Sequence, residues 1–142
     1  MAFDPYLFFG GNCREAFTRY QEVFGGELQL ITMADTPDGG EDVPAEQADL
    51  ILHAALTRDG RMLMGSDDPT TDDFGPVQGM MVSYSASDAD DARTVFDALA
   101  EGGSVNQALT ETFFSPAFGM CVDRFGTPWM VSAYAEDAPA GG

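Results

Sequence analysis

The sequence is poor in positive charge. Lys and Arg number 6 against 24 Asp and Glu, a formal net charge of −18 over 142 residues. Nucleic acid and anionic membrane both attract Lys and Arg, so neither is expected as a partner. Histidine occurs once, at His53, so no site can draw on two imidazoles of one chain. Cysteine occurs twice, at Cys13 and Cys121. Two distant cysteines suit reduced thiols and a cytoplasmic location rather than a disulfide scaffold. No apolar run approaches the roughly 20 residues of a membrane span. The start of the chain lacks a basic stretch followed by an apolar core, so no secretory signal is expected. What is present is ordinary for a folded protein: 44% hydrophobic and 21% charged residues, with length enough for a buried core. The acidity by itself predicts solubility, not a partner.

Periodicity and breakers divide the chain. Tyr6-Leu7-Phe8-Phe9 reads as a short strand buried on both faces, ended by Gly10-Gly11. Asn12 and Glu15 have the spacing of a capping box, and Ala16, Phe17, Tyr20, Val23 and Phe24 follow at helical spacing up to Gly25-Gly26. Glu27 to Met33 reads as a strand, and Asp35 to Gln47 as an acidic surface loop. Leu50 to Thr57, the turn Arg58-Asp59-Gly60, and Arg61 to Ser66 read as a hairpin. Asp67 to Pro76 reads as a solvated linker: Asp67, Asp68, Asp72 and Asp73 lack the glycine and terminal Glu of a calcium loop. The order then restarts: a strand from Met80 to Ser85, a helix capped by Asp88 with the stripe Ala92, Val95, Phe96 and Leu99, and a short strand from Val105. An aromatic loop, Thr110 to Pro116, precedes strands at Phe118 to Asp123 and Trp129 to Tyr134. Residues 137–142 are expected to fray.

This is an internal repeat. Asn12 and Asp88, Ala16 and Ala92, and Tyr20 and Phe96 each lie 76 positions apart. Farther on, Arg58 and Arg124, Gly60 and Gly126, and Met64 and Met130 lie 66 apart, the acidic loop of the first half accounting for the difference. Each half reads strand, helix, strand, strand, strand. The expected fold is α+β, with two βαβββ modules over residues 1–70 and 76–136 whose curved sheets form a cleft, the helices outside.

That order resembles the vicinal oxygen chelate (glyoxalase, bleomycin-resistance, extradiol dioxygenase) superfamily, and within it the PhnB-like branch. The likeness is carried by residues 6–17, Tyr20 and residues 23–26 in the first half. His53-Ala54 and residues 63–67 continue it, and residues 99–103, 112–114, 118–120 and 123–130 complete it. Enzymes of the superfamily hold a divalent metal with His and Glu, which the resemblance places near Pro5 or Tyr6, near Gly79 or Met80, and at Met130, with Met64 its counterpart. None of these is a hard-metal ligand, so no metal and no cofactor is expected. The branch is also named for a methyltransferase, but no glycine-rich loop stands in a βαβ context to hold a methyl donor.

Strand alternation nominates the lining of the cleft. Leu50, Leu52, Ala54 and Leu56 form an apolar face that should lie under a helix. Ile51, His53, Ala55 and Thr57 should face the cleft. The repeat sets Gly119 at the place of His53 and Cys121 at the place of Ala55. Met64 and Ser66 share a face, as do Met130, Ser132 and Tyr134; Met81 and Ser83 join them if the fifth strand keeps the same parity. Phe113 and Phe114 either plug the cleft mouth or pack on a partner subunit. His53 is either a structural histidine or the group that contacts a ligand or moves a proton. The methionines serve as core filler or as ligand contacts, and Cys121 as an inert thiol or a contact.

The expected function is a metal-free binder of an apolar or aromatic small molecule, working as a homodimer. The alternatives are an enzyme of lyase, isomerase or dioxygenase type that uses His53, and a dimeric scaffold with a vestigial cleft.

Overall fold

Strand β1, Tyr6–Phe9, sets the pattern of the fold: Leu7 and Phe9 are buried while Tyr6 and Phe8 are exposed. One face is therefore covered, not two as the short apolar run suggests. The computed structural model describes residues 3–35, 43–70 and 77–133. Helix α1, Cys13–Phe24, buries Cys13, Ala16, Phe17 and Tyr20, the single apolar stripe expected of a helix laid on a sheet. It ends at Gly25, whose φ of 73° lets its N–H donate to the Gln21 carbonyl at 2.8 Å. Strand β2, Glu27–Thr32, follows. Short 3-10 turns at Met33–Asp35 and Ala45–Gln47 flank residues 36–42, which lie outside the described residues. Strands β3, Ile51–Arg58, and β4, Arg61–Asp67, form the hairpin. Its turn has Asp59 and Gly60 both at positive φ, 52° and 78°, the backbone twist that suits a two-residue hairpin loop.

The four strands lie in the order β1-β4-β3-β2, β1 and β4 parallel and the other pairs antiparallel. β1 and β2 thus occupy opposite edges, and α1 carries the chain between them across one face. Phe17 sits against β4 where Gly65 leaves room: a Cβ there would meet Phe17 Cε2 at 2.8 Å and the Leu7 carbonyl oxygen at 2.9 Å.

The second unit repeats the plan. Strand β5, Val82–Ala86, leads to helix α2, Ala89–Ala100, then β6, Ser104–Thr110, β7, Phe118–Val122, and β8, Pro128–Ala133. The order is β5-β8-β7-β6, again with the first and last strands parallel. Asp88 caps α2 as expected, accepting from the Asp91 N–H at 2.7 Å, and Ala92, Val95, Phe96 and Leu99 are buried. Gly119 gives Phe96 the space that Gly65 gives Phe17. The chain divides into two compact units, Met1–Phe74 and Gly75–Gly142. Both have the βαβββ order, and the α+β fold is the one expected. No helix among the described residues is long and apolar enough to cross a membrane.

Two details depart from the sequence reading. Asn12 makes no side-chain cap bond. The start of α1 is held instead by Asp67, whose Oδ1 accepts from the N–H groups of Gly11 and Cys13 at 3.0 Å each. Its Oδ2 accepts from the Ile51 N–H at 2.9 Å. Asp67 is 4% exposed, so it is a buried strut at the end of β4 and not part of a solvated linker. Asp68 is half-buried and its carboxylate accepts from the Thr70 N–H, while Asp72 and Asp73 lie outside the described residues. Second, the β2–β3 register shifts between Ile31 and Thr32, which pair with His53 and Ile51. Leu52 is the extra residue of this bulge. Ile51 is consequently fully buried and Leu52 41% exposed, the reverse of strict alternation.

Both cysteines are buried. Burial, reinforced by the Asp67 charge, pushes the Cys13 thiol up from 9.0 to about 12. Burial and then Asp123 push Cys121 up to about 11. Three outcomes follow from this packing. Gly65→Ala should cost about 1–3 kcal/mol through overpacking against Phe17 and the Leu7 backbone, read as a lower urea midpoint at unchanged slope. Asp67→Ala should cost about 3 kcal/mol, because three backbone donors lose a charged acceptor. Both thiols should resist a disulfide reagent at neutral pH until the protein unfolds. Because the folded thiols hold their protons more tightly than unfolded ones, stability should fall as pH rises above 9.0 toward about 11 and 12.

Candidate functional site

Each helix covers one face of its sheet, so chemistry open to a ligand has to come from the other face. In the first unit Tyr6 pairs with Met64 and Phe8 with Ser66, while Ala55 pairs with Met64 from the other side. Gly65, on the opposite parity, faces Phe17 of α1. Tyr6, Phe8, Met64, Ser66, Ala55 and His53 therefore share the face away from the helix. His53 is half-buried and Met64 half-buried; Ser66 is buried. This is the placement expected for His53, Met64 and Ser66.

The face has one polar interaction of note. The Tyr6 hydroxyl lies 3.1 Å from His53 Nδ1, and the two rings lie 5.7 Å apart at 30°. The Phe8 ring lies 5.3 Å from that of Tyr6. The sequence marks Tyr6 as part of the apolar first strand and as a position near an expected metal ligand, not as a partner of His53. The signal that marks it is the alternation within Tyr6-Leu7-Phe8-Phe9, which puts an aromatic hydroxyl on the open face of an edge strand.

In the second unit Ser83 pairs with Met130 and Ser85 with Ser132. Met120 pairs with Met130 and Phe118 with Ser132. These side chains share the face away from α2, which is the strand face expected for Ser83, Met130 and Ser132. Met81 precedes β5 and does not belong to the strand, while Tyr134 lies outside the described residues.

Cys121 is a correction. It pairs with Trp129, is fully buried, and lies on the helix side with Gly119 and Val131. The cause is the length of a turn. Met64 and Met130 lie 66 apart, but their partners Ala55 and Met120 lie 65 apart. The β7–β8 connection holds one residue more than the β3–β4 connection, and a slip of one residue exchanges the faces of a strand. Leu56, not Ala55, is the counterpart of Cys121, and Phe118 that of His53.

Phe118 heads an aromatic stack. Its ring lies 5.1 Å from Phe114, which lies 5.1 Å from Phe113, both edge-on. Phe113 is 100% and Phe114 52% exposed. The loop presenting them is braced from beneath by buried Ser115, which bonds the backbone of Ala117 and Ala133, and by reciprocal bonds between Thr112 and Ser115.

A metal of the kind the superfamily uses does not fit these residues. Its expected positions carry Pro5 or Tyr6, Gly79 or Met80, and Met130, with Met64 the counterpart of Met130, and the thioethers among them suit soft ions. Among the described residues no three His, Cys, Asp or Glu side chains converge.

A family model described as 3-demethylubiquinone-9 3-methyltransferase matches residues 1–132. Protein YjdN of Escherichia coli K12 is 31% identical, over 96% of this chain and 97% of that one. The crystal structure of PA1353 from Pseudomonas aeruginosa superposes with a TM-score of 0.84 at 39% identity, covering 94% of this chain and 98% of that one. A glyoxalase/bleomycin resistance protein/dioxygenase family enzyme from Burkholderia phytofirmans shares the fold at TM-score 0.62 and 13% identity, over 92% of this chain and 96% of that one. A nucleoside-type methyl donor held at a strand-to-helix turn fits poorly here, because this chain's own carboxylates stand at both helix starts: Asp67 accepts from the N–H groups of Gly11 and Cys13, and Asp88 from that of Asp91. The match over residues 1–132 places the chain in the family described as 3-demethylubiquinone-9 3-methyltransferase, and its duplicated βαβββ order is a fold shared with the glyoxalase/bleomycin resistance protein/dioxygenase family enzyme.

Proposed function

We propose that this protein binds a small apolar or aromatic molecule, without a hard metal ion, on the face of the first sheet that α1 leaves uncovered. The observation that carries the reading is the Tyr6–His53 hydrogen bond set beside the exposed Phe8 ring and the half-buried Met64. An apolar surface with one or two placed polar groups is the usual composition of a small-molecule site. Methionine supplies contact area that adapts to the ligand's outline. The same pair supports an enzymatic reading, since a hydroxyl on Nδ1 orients an imidazole for proton transfer. A homodimer belongs to the proposal as well, with Phe113 and Phe114 as the surface it would cover.

His53→Ala is the test. His53 is half-buried and hydrogen-bonded to Tyr6, so the variant should unfold within about 1 kcal/mol of the parent. The rise in melting temperature produced by neutral aromatic compounds should be lost, because it depends on binding to the native state. A large loss of stability with the ligand-induced rise intact would make His53 a structural residue and end the reading.

A further inference from the structure

The only histidine of the chain is held by a tyrosine from a strand that is not its neighbour. β4 runs between β1 and β3, so the 3.1 Å contact from the Tyr6 hydroxyl to His53 Nδ1 spans an intervening strand. A phenol donates well and accepts poorly, while a neutral imidazole has one accepting nitrogen and one N–H. The pair is best satisfied when Tyr6 donates to Nδ1, and the imidazole proton then sits on Nε2. Among the described residues no hydrogen-bond partner is recorded for Nε2.

We infer that Tyr6 is a positioning residue that fixes His53 as the Nε2–H tautomer, and that the site takes a neutral, planar aromatic compound bearing a carbonyl-type acceptor. The inference rests on the binding reading above and names its ligand class. An Nε2–H is a lone donor and needs an acceptor from the ligand. The Tyr6 and Phe8 rings, 5.3 Å apart with Phe8 56% exposed, offer an apolar surface for a flat ring. A carboxylate would supply an acceptor too, but a net charge of −18 works against an anionic ligand. A carbonyl meets the donor without that repulsion.

Long-range proton–nitrogen NMR of the 15N-labelled protein reads the tautomer directly. One histidine gives one pair of ring nitrogens, with no assignment problem. At about pH 8.5, above the ordinary imidazole range, Nε2 should carry the proton and Nδ1 should accept. Tyr6→Phe should shift the Nδ1 resonance and restore a mixture of tautomers, with little change in melting temperature. The ligand class is read by titrating 2-acetylnaphthalene and 2-ethylnaphthalene, matched in size and differing in the acceptor. The acetyl compound should bind about tenfold more tightly to the parent, and the gap should narrow in Tyr6→Phe. A proton on Nδ1, or nitrogen resonances indifferent to Tyr6→Phe, overturns the role of Tyr6 and leaves the binding reading standing. Equal affinity for the two naphthalenes overturns the ligand class alone. Binding of neither overturns the ligand class and the binding reading together.

Discussion

The first unit depends on the burial of one carboxylate. Asp67 stands at the end of β4, 4% exposed, and three backbone N–H groups converge on it from the β1–α1 turn, the first residue of α1 and the first residue of β3. A carboxylate so deep is tolerable only when its oxygens are satisfied, and the positive end of a helix favours it further. Its effect is geometric. It fastens the start of α1 to the strand that carries Met64 and Ser66, and it fixes where β3 begins. With α1 pinned to one face, the other face of the sheet is left to Tyr6, Phe8 and His53. The same charge helps keep the neighbouring Cys13 thiol protonated, so the core beneath the site is chemically inert.

The second unit meets the same need by another route. Its buried carboxylate, Asp123, lies in the β7–β8 turn and not at a strand end. Asp123 accepts from the N–H groups of Phe125 and Thr127, and its other oxygen takes the indole N–H of Trp129 at 2.8 Å. Here the acid fastens a turn and the largest core side chain, while α2 is capped by its own Asp88. The added residue in this turn moves β7 by one place relative to β3. A duplicated fold therefore carries two different open faces: a tyrosine–histidine pair on one, and a phenylalanine stack with serines and methionines on the other.

Much of this was legible in the sequence because it is periodic. Glycine pairs at the helix ends, the stripe through Ala92, Val95, Phe96 and Leu99, and the Asp59-Gly60 turn are local signals, and they fix the element order and both modules. The faces of most strands follow from alternation, which puts His53, Met64, Ser83 and Ser132 on the side away from the helices. What failed were departures from period by one residue. The bulge at Leu52 exchanges it with Ile51, and the longer turn moves Cys121 from the open face to the core. Neither leaves a local mark, since a bulge and a turn extension both read as ordinary strand-end residues. The roles of Asp67 and Asp123 were hidden for a different reason: an acid in an acidic chain looks solvated, and only the convergence of distant N–H groups shows otherwise.

The Tyr6–His53 contact belongs to a third category, being set by strand order and not by sequence spacing. Placing the first strand beside the last brings residue 6 near residue 53 across β4, and no motif spans that interval. This matters for the chemistry the chain can do. A site built on His and Glu would polarise vicinal oxygens through a metal; here the positions expected to hold them carry Pro5 or Tyr6, Gly79 or Met80, and Met130. The polar chemistry of the first unit's open face then comes down to hydrogen bonding through one imidazole, the hydroxyls of Tyr6, Ser66 and Thr57, and the side chains of Gln29 and Glu27 on β2. Such groups discriminate ligands by whether a donor meets an acceptor, because a polar group left unpaired on desolvation costs more than a formed bond gains. Around the imidazole that match is set by which nitrogen of His53 holds the proton, and the structural feature that bears on it is the hydroxyl of Tyr6.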